Sequence, residues 1–148
     1  MGVIAGLGVH CLYLDANILI YLLEDVAEYK HCLGDLVLSI DTGALKTVTS
    51  ELRLLEGLTK PLSENRQDLV TAYLNQIQSS NGFNVVPIDR QILIEAAKVR
   101  ATGGLKTPDA IHVATARLHG CDGFFTNDRH LSGITTPKAY ILDDLPDK

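Results

Sequence analysis

Four acidic side chains stand where a fold could bring them together. Asp15 directly follows the apolar run Cys11-Leu12-Tyr13-Leu14, and Asp128 follows Phe124-Phe125-Thr126-Asn127. Asp109 opens a helical stretch behind Thr107-Pro108, and Glu56 lies inside the helical stretch 51–58. In sheets with helical crossovers, ligands bind beyond the carboxyl ends of the strands. Polar residues just after strands are therefore the first candidates. Each aspartate also has a plain structural role: Asp15 and Asp128 can cap helices, and Asp109 can favour a helix dipole. Glu56 is harder to account for. Leu52, Leu55, Glu56 and Thr59 fall at i, i+3, i+4 and i+7, the spacing of a core-facing stripe. A carboxylate there costs several kcal/mol unless it is paired or metal-bound. Glu51, five residues earlier, points ~140° away and is explained by the dipole. Glu56 is the favoured second acid, with Glu51 still open.

Four carboxylates meeting at one sheet edge repel each other. The strand-end segments themselves hold no Lys or Arg, although Arg129 follows Asp128. A hard divalent cation resolves this: Mg²⁺ or Mn²⁺ takes carboxylate oxygens and keeps waters. Such an ion can supply a nucleophilic water and hold a phosphate oxygen. Zinc is disfavoured, because no His/Cys set has ligand spacing. None of the histidines (10, 31, 112, 119 and 130) is required as a base, and His112 and His130 read as packed or surface residues. Arg53, Arg129, Lys106 and Lys60 flank the acidic motifs. They either contact phosphates or form a solvated face.

The elements that position these groups alternate. Residues 9–14 read as a buried strand, 18–23 as a short helix and 27–40 as a second helix. Thr47-Val48-Thr49-Ser50 is a β-branched strand, and the helix 51–58 stops before Pro61. Residues 64–79 form an amphipathic helix with Leu69, Val70, Tyr73, Leu74 and Ile77 on one face. Residues 83–88 are a strand, and 90–101 a helix ended by Gly103-Gly104. Thr107 caps the next helix, with Pro108 at its first position. Residues 123–126 are a strand, 129–132 one turn, and 139–142 a last strand before an acidic tail. Strands alternating with helices define an α/β fold with a largely parallel sheet and right-handed crossovers.

Composition narrows the function classes. The 148 residues carry 13 Lys+Arg against 18 Asp+Glu, a net charge of −5. Binding nucleic acid by bulk positive charge is therefore excluded. The charge is uneven: residues 1–41 carry −5, 42–138 carry +2 and 139–148 carry −2. The apolar share of 46% excludes a disordered chain. Three scattered cysteines without a Cys-x-x-Cys pair read as reduced thiols of a cytoplasmic protein. The N-terminus lacks the positive segment of a signal peptide, and the run 9–23 is too short and polar to span a bilayer.

These residues resemble a family. Tyr13-Leu14-Asp15-Ala16-Asn17-Ile18-Leu19-Ile20-Tyr21 is similar to the opening motif of PIN-domain nucleases. Thr49-Ser50-Glu51-Leu52-Arg53-Leu54-Leu55-Glu56-Gly57-Leu58 resembles their second acidic motif. Pro108-Asp109-Ala110-Ile111-His112-Val113-Ala114-Thr115-Ala116 and Phe124-Phe125-Thr126-Asn127-Asp128 resemble the third and fourth. The resemblance implies one PIN-like domain over residues 1–148, with a core of about 11–145. It implies a three-layer α/β/α sandwich with a five-stranded parallel sheet. It also implies Mg²⁺- or Mn²⁺-dependent cleavage of RNA, with the family's acids falling on Asp15, Glu56, Asp109 and Asp128. Asn17, Thr126 and Asn127 would orient those acids or the substrate. At this size the chain looks most like VapC-type toxins, which pair with a small antitoxin and commonly form homodimers.

Other readings remain: a PIN-fold ribonuclease in housekeeping RNA processing, a DNA-directed nuclease, or a non-catalytic module binding RNA or protein. A Mg²⁺-dependent phosphotransfer domain also places acids at strand ends. However, a phosphatase wants Asp two residues after Asp15, where this chain has Asn17.

Overall fold

In the computed structural model, residues 2–146 are described; residue 1 and the tail residues 147 and 148 lie outside them. Five short segments form strands: β1 (Cys11–Leu14), β2 (Lys46–Ser50), β3 (Phe83–Val86), β4 (Gly123–Thr126) and β5 (Lys138–Ile141). They pair in parallel in the order β3-β2-β1-β4-β5. Between them run six helices: α1 (Ala16–Glu24), α2 (Lys30–Asp41), α3 (Leu52–Ser63), α4 (Gln67–Gln76), α5 (Arg90–Gly103) and α6 (Thr107–Leu118). Parallel strands need such crossovers, and the helices cover both faces of the sheet.

The two-residue period of each strand sorts its side chains between two cores. Tyr13 and Phe124 face one way and pack with Ile92, Ala96 and Val99 of α5 and Ala110, Val113 and Ala114 of α6. Leu12, Leu14 and Phe125 face the other way, toward Ile18 and Leu19 of α1 and Cys32, Leu33 and Leu36 of α2. The Tyr13 and Phe124 rings stack with centroids 5.0 Å apart, a geometry that adds about 0.5–1.5 kcal/mol beyond area burial. The result is the expected α/β/α sandwich with a five-stranded parallel sheet.

Residues 2–8 have a packing role that the sequence left without a reading, and residues 9 and 10, expected in the first strand, precede β1. Ile4 is buried, and Val3, Leu7 and Val9 pack on the α1–α2 core. The Ile4 N–H donates to Asp35 Oδ2 at 2.6 Å. A Cβ on Gly2 would fall 1.9 Å from Asp35 Oδ1, so a side chain there would displace the Asp35 carboxylate.

Several boundaries differ from expectation. The stretch 27–40 divides into a 3₁₀ turn, Ala27–Tyr29, and α2. Helix α3 runs through Pro61 to Ser63. Proline removes one intrahelical donor, which is tolerated here near the helix end with the ring itself buried. The expected 64–79 helix is the shorter α4, set off by Asn65 at φ 53°, a left-handed conformation that asparagine accepts. Leu74 of its supposed buried face is exposed. Lys106, rather than Thr107, occupies the cap position of α6.

Candidate metal-carboxylate site

A helix leading into a parallel strand runs antiparallel to it, so α6 begins at the edge where β1 and β4 end. This brings Asp109, in the first turn of α6, to the same edge as Asp15 and Asp128. Burial first, then the charges of Asp15 and Asp128, hold the Asp109 carboxyl above its usual range. His112 opposes this shift, and Glu56 adds to it. The four acids from four segments therefore share one electrostatic neighbourhood.

Asp15 is buried and firmly held. It caps α1, accepting from its neighbour Ala16 N–H at 2.8 Å, and accepts from Thr126 Oγ1 at 2.7 Å. The Thr126 hydroxyl oxygen in turn accepts from the Asp128 N–H at 3.1 Å and from Asn17 Nδ2 at 3.4 Å. Asn17 Oδ1 accepts from the Asn127 N–H at 3.0 Å. The ends of β1 and β4 are thus laced by the side chains expected to orient the site. Asn127 differs: its amide bonds Tyr29, Tyr21 and the Asp143 N–H. It ties β4 to the segment after β5. Asp128 Oδ1 accepts from the N–H of His130 and pairs with its Nδ1, both at 3.0 Å.

Glu56 reaches the site by a different route from the one its spacing suggested. The buried positions of α3 are Arg53, Gly57 and Pro61, and Leu55 is 68% exposed. The supposed stripe of Leu52, Leu55, Glu56 and Thr59 is therefore not the core face. Glu56 sits on its flank, where Oε1 accepts from His112 Nε2 at 2.8 Å. Arg53 Nη1 lies 3.8 Å away. Burial raises the Glu56 carboxyl, but the His112 bond and the charges of His112 and Arg53 outweigh it, leaving it below the usual range. Glu51 is exposed at the start of α3. Glu56→Gln is expected to weaken Mg²⁺ binding at least ~10-fold, against less than ~2-fold for Glu51→Gln, in parallel titrations of purified protein.

Arg53 was expected to touch phosphates or lie on a solvated face. Instead it is 2% exposed, one of the largest fully buried side chains. Its Nε and Nη2 have no hydrogen-bond partner among the described residues. It braces Glu56 from inside. Arg129 is exposed and forms a double contact with Asp144, at 2.8 and 3.3 Å. Lys60 is exposed beside Glu64.

His112 is the residue that sequence reasoning undervalued. It is 1% exposed and bridges the Tyr13 hydroxyl, through Nδ1, to Glu56. Burial first, then the charge of Asp15, pushes the Tyr13 hydroxyl well above its ordinary range, so it stays neutral. A sequence signal existed: His112 is three residues after Asp109, on the same helix face, inside the apolar run Ala110–Ala116.

Among the described residues, no three His, Cys, Asp or Glu side chains lie close enough together, as placed, to clasp a metal ion. Mg²⁺ does not need such a cage; it binds through one or two carboxylates and keeps its waters. The donor set fits it. The groups are hard oxygens, and Asp109 meets its neighbours' negative charge without a hydrogen-bond or ion-pair partner among the described residues.

Comparison with known proteins agrees with this architecture. The PIN domain family matches residues 12–135, and the chain belongs to that family. It is similar to a toxin–antitoxin complex from Klebsiella pneumoniae, at 25% identity and TM-score 0.63, covering 88% of this chain and 97% of that one. It also resembles VapBC2 from Rickettsia felis bound to a promoter DNA fragment: 14% identity, TM-score 0.67, 88% of this chain and 98% of that one. A DNA-bound VapBC from Salmonella typhimurium gives 17% identity, TM-score 0.66, 90% of this chain and 98% of that one. No curated protein matches the chain significantly. Among the described residues, no helix is long and apolar enough to cross a membrane.

Proposed function

We propose that this protein is a Mg²⁺- or Mn²⁺-dependent endoribonuclease and the toxin of a toxin–antitoxin pair, acting in the cytoplasm as one PIN-like domain. The observation that supports this reading is that the charges of Asp15, Asp128 and Glu56 all raise the Asp109 carboxyl, and that among the described residues Glu56 alone of the four acids lies beside a buried arginine. Family membership supports nuclease chemistry, and the Klebsiella complex at 25% identity supports a small protein inhibitor as partner. A homodimer is part of the same reading.

Asp15, Asp109, Asp128 and Glu56 are the groups that would hold the ion, one or two of them directly and the others through its waters. When bound, the metal would neutralise charge on the scissile phosphate and lower the pKa of a water. The chain's own side chains do the rest. Thr126 and the Ala16 N–H fix the Asp15 oxygens. His112 and Arg53 fix Glu56, and Asn17 keeps the β1 and β4 ends in register. Rigid placement of the charged groups before substrate arrives is the main catalytic contribution of such a site.

Purified protein with labelled RNA and single-stranded DNA tests the reading, with Mg²⁺ or Mn²⁺ and with chelator. RNA cleavage should stop with chelator and fall by ~10³-fold in Asp15→Asn. Cleavage that survives both treatments would remove these carboxylates from the reaction. Expression should arrest growth, and co-expression of the adjacent small gene should relieve it. An active nuclease that leaves growth unaffected would instead indicate housekeeping RNA processing.

A further inference from the structure

At the opposite edge of the sheet from the carboxylates, two cysteines 110 residues apart in sequence meet: Cys11 Sγ and Cys121 Sγ are 3.3 Å apart. Their backbones are clasped. Asp122 N–H donates to Cys11 O at 2.9 Å, and Asp122 Oδ1 accepts from Cys11 N–H at 2.9 Å. Cys121 is buried, whereas Cys11 is half-buried and lines an open cavity of about 370 Å³. The walls of that cavity include Lys46, His119, Ser79 and Asn84, and Lys46 stands opposite Cys11 in the strand register.

We infer that Cys11 and Cys121 form a thiol–disulfide exchange site that takes small anionic disulfides, of the glutathione disulfide type, from the Lys46–His119 cavity. Roles follow from position. The hydrogen bond with Cys121, in which either sulfur can donate, lowers the Cys11 thiol, with a further contribution from Lys46, against burial and Asp122. That bond and burial raise Cys121. The more ionised, accessible thiol attacks, and the buried one resolves.

Cys11 loses its proton to solvent, and its thiolate attacks one sulfur of the small disulfide R–S–S–R. The Cys11–S–R bond forms, the S–S bond breaks, and R–S⁻ leaves. Cys121 gives its proton to that thiolate and attacks Cys11 Sγ, forming the Cys11–Cys121 bond. The second R–S⁻ departs and takes a proton from solvent. The protein dithiol is oxidised by two electrons, and the small disulfide is reduced to two thiols. Bonding requires the sulfurs to close from 3.3 Å to about 2.05 Å.

Cys32 is the internal control. It is buried away from the pair, its thiol pushed up to about 12 by burial and Asp35. Full-length protein, reduced and freed of reductant, is incubated with oxidised glutathione and quenched in acid. Denatured thiols are counted, and peptides are mapped by mass. The count should fall from three to one, with residues 11 and 121 linked within one chain and Cys32 free. Cys121→Ser should accumulate the glutathione adduct on Cys11, formed at least ~10-fold faster than on Cys32. Three surviving thiols under conditions that oxidise dithiothreitol would overturn the inference. So would a stable Cys11 adduct in the unmutated protein, or links only between chains.

Discussion

Asp109→Asn should abolish RNA cleavage while making the metal-free protein slightly more stable. Burial and the neighbouring charges of Asp15 and Asp128 raise the Asp109 carboxyl, despite its place in the first turn of α6, where backbone N–H groups favour an anion. A carboxyl with a raised folded pKa contributes stability below its unfolded value of about 3.9. It loses that contribution as pH rises through the folded value. At pH 7 the charge is therefore a net cost to the fold, and asparagine removes it at constant size. The group is partly exposed, so solvent screens the repulsion. A rise of about 2 °C in thermal midpoint is the expected scale in chelator. Turnover should fall by ~10³-fold or more, and the midpoint gain on adding Mg²⁺ should shrink. Thermal melts with Mg²⁺ and with chelator, run beside the cleavage assay, check all three. A variant that melts lower than the parent in chelator would contradict the repulsion account.

His112→Ala carries the second large effect, on stability and turnover together. The substitution removes the Nε2–H donor to Glu56 and the partner of the buried Tyr13 hydroxyl, and it opens a hole in α6 packing. Breaking such a buried polar line costs about 3 kcal/mol, or roughly 10 °C in midpoint for a chain of this size. Turnover should drop ~10–100-fold, the usual effect of losing a group that orients a metal-site carboxylate. His112→Gln, which keeps one N–H donor, should recover part of both. The pH dependence separates positioning from mere packing. Glu56 is held below its unfolded value of about 4.3 by His112 and Arg53. Its contribution is present above that value and lost as pH falls through the folded one. Unfolding of the parent protein should therefore steepen below about pH 4.3. The alanine variant, with burial less opposed, should show a shallower acid dependence.

The order of elements was legible because each strand is a short β-branched or aromatic run and each crossover helix has its own period and stop. Asp15, Asp109 and Asp128 were legible for the same reason: each follows a strand or opens a helix, so topology alone sends them to one edge. Glu56 was reached through a mistaken premise. The spacing of Leu52 and Leu55 suggested a core stripe, but α3 turns Arg53, Gly57 and Pro61 inward. No hydropathy pattern anticipates a fully buried arginine. His112 and Arg53 acquire their roles only by meeting Glu56 and, for His112, also Tyr13, 99 residues away in sequence. The Cys11–Cys121 contact was hidden by the same kind of distance. Local signals specify elements; the partners of buried polar groups are settled by tertiary packing.

The strand order also sets a clock. β1 lies at the centre of the sheet, yet β4, which pairs along one of its sides, is made more than a hundred residues later. Thr126, which holds the Asp15 carboxylate, belongs to that late strand. On the proposed function, cleavage cannot begin until Asp128 has been added to the growing chain. At usual synthesis rates of about 5–20 residues per second, that leaves on the order of ten seconds after Asp15 is made. During that interval the β1 edge that pairs with β4 is unpaired. A partner translated nearby would have that window in which to accumulate before the first complete copy appears.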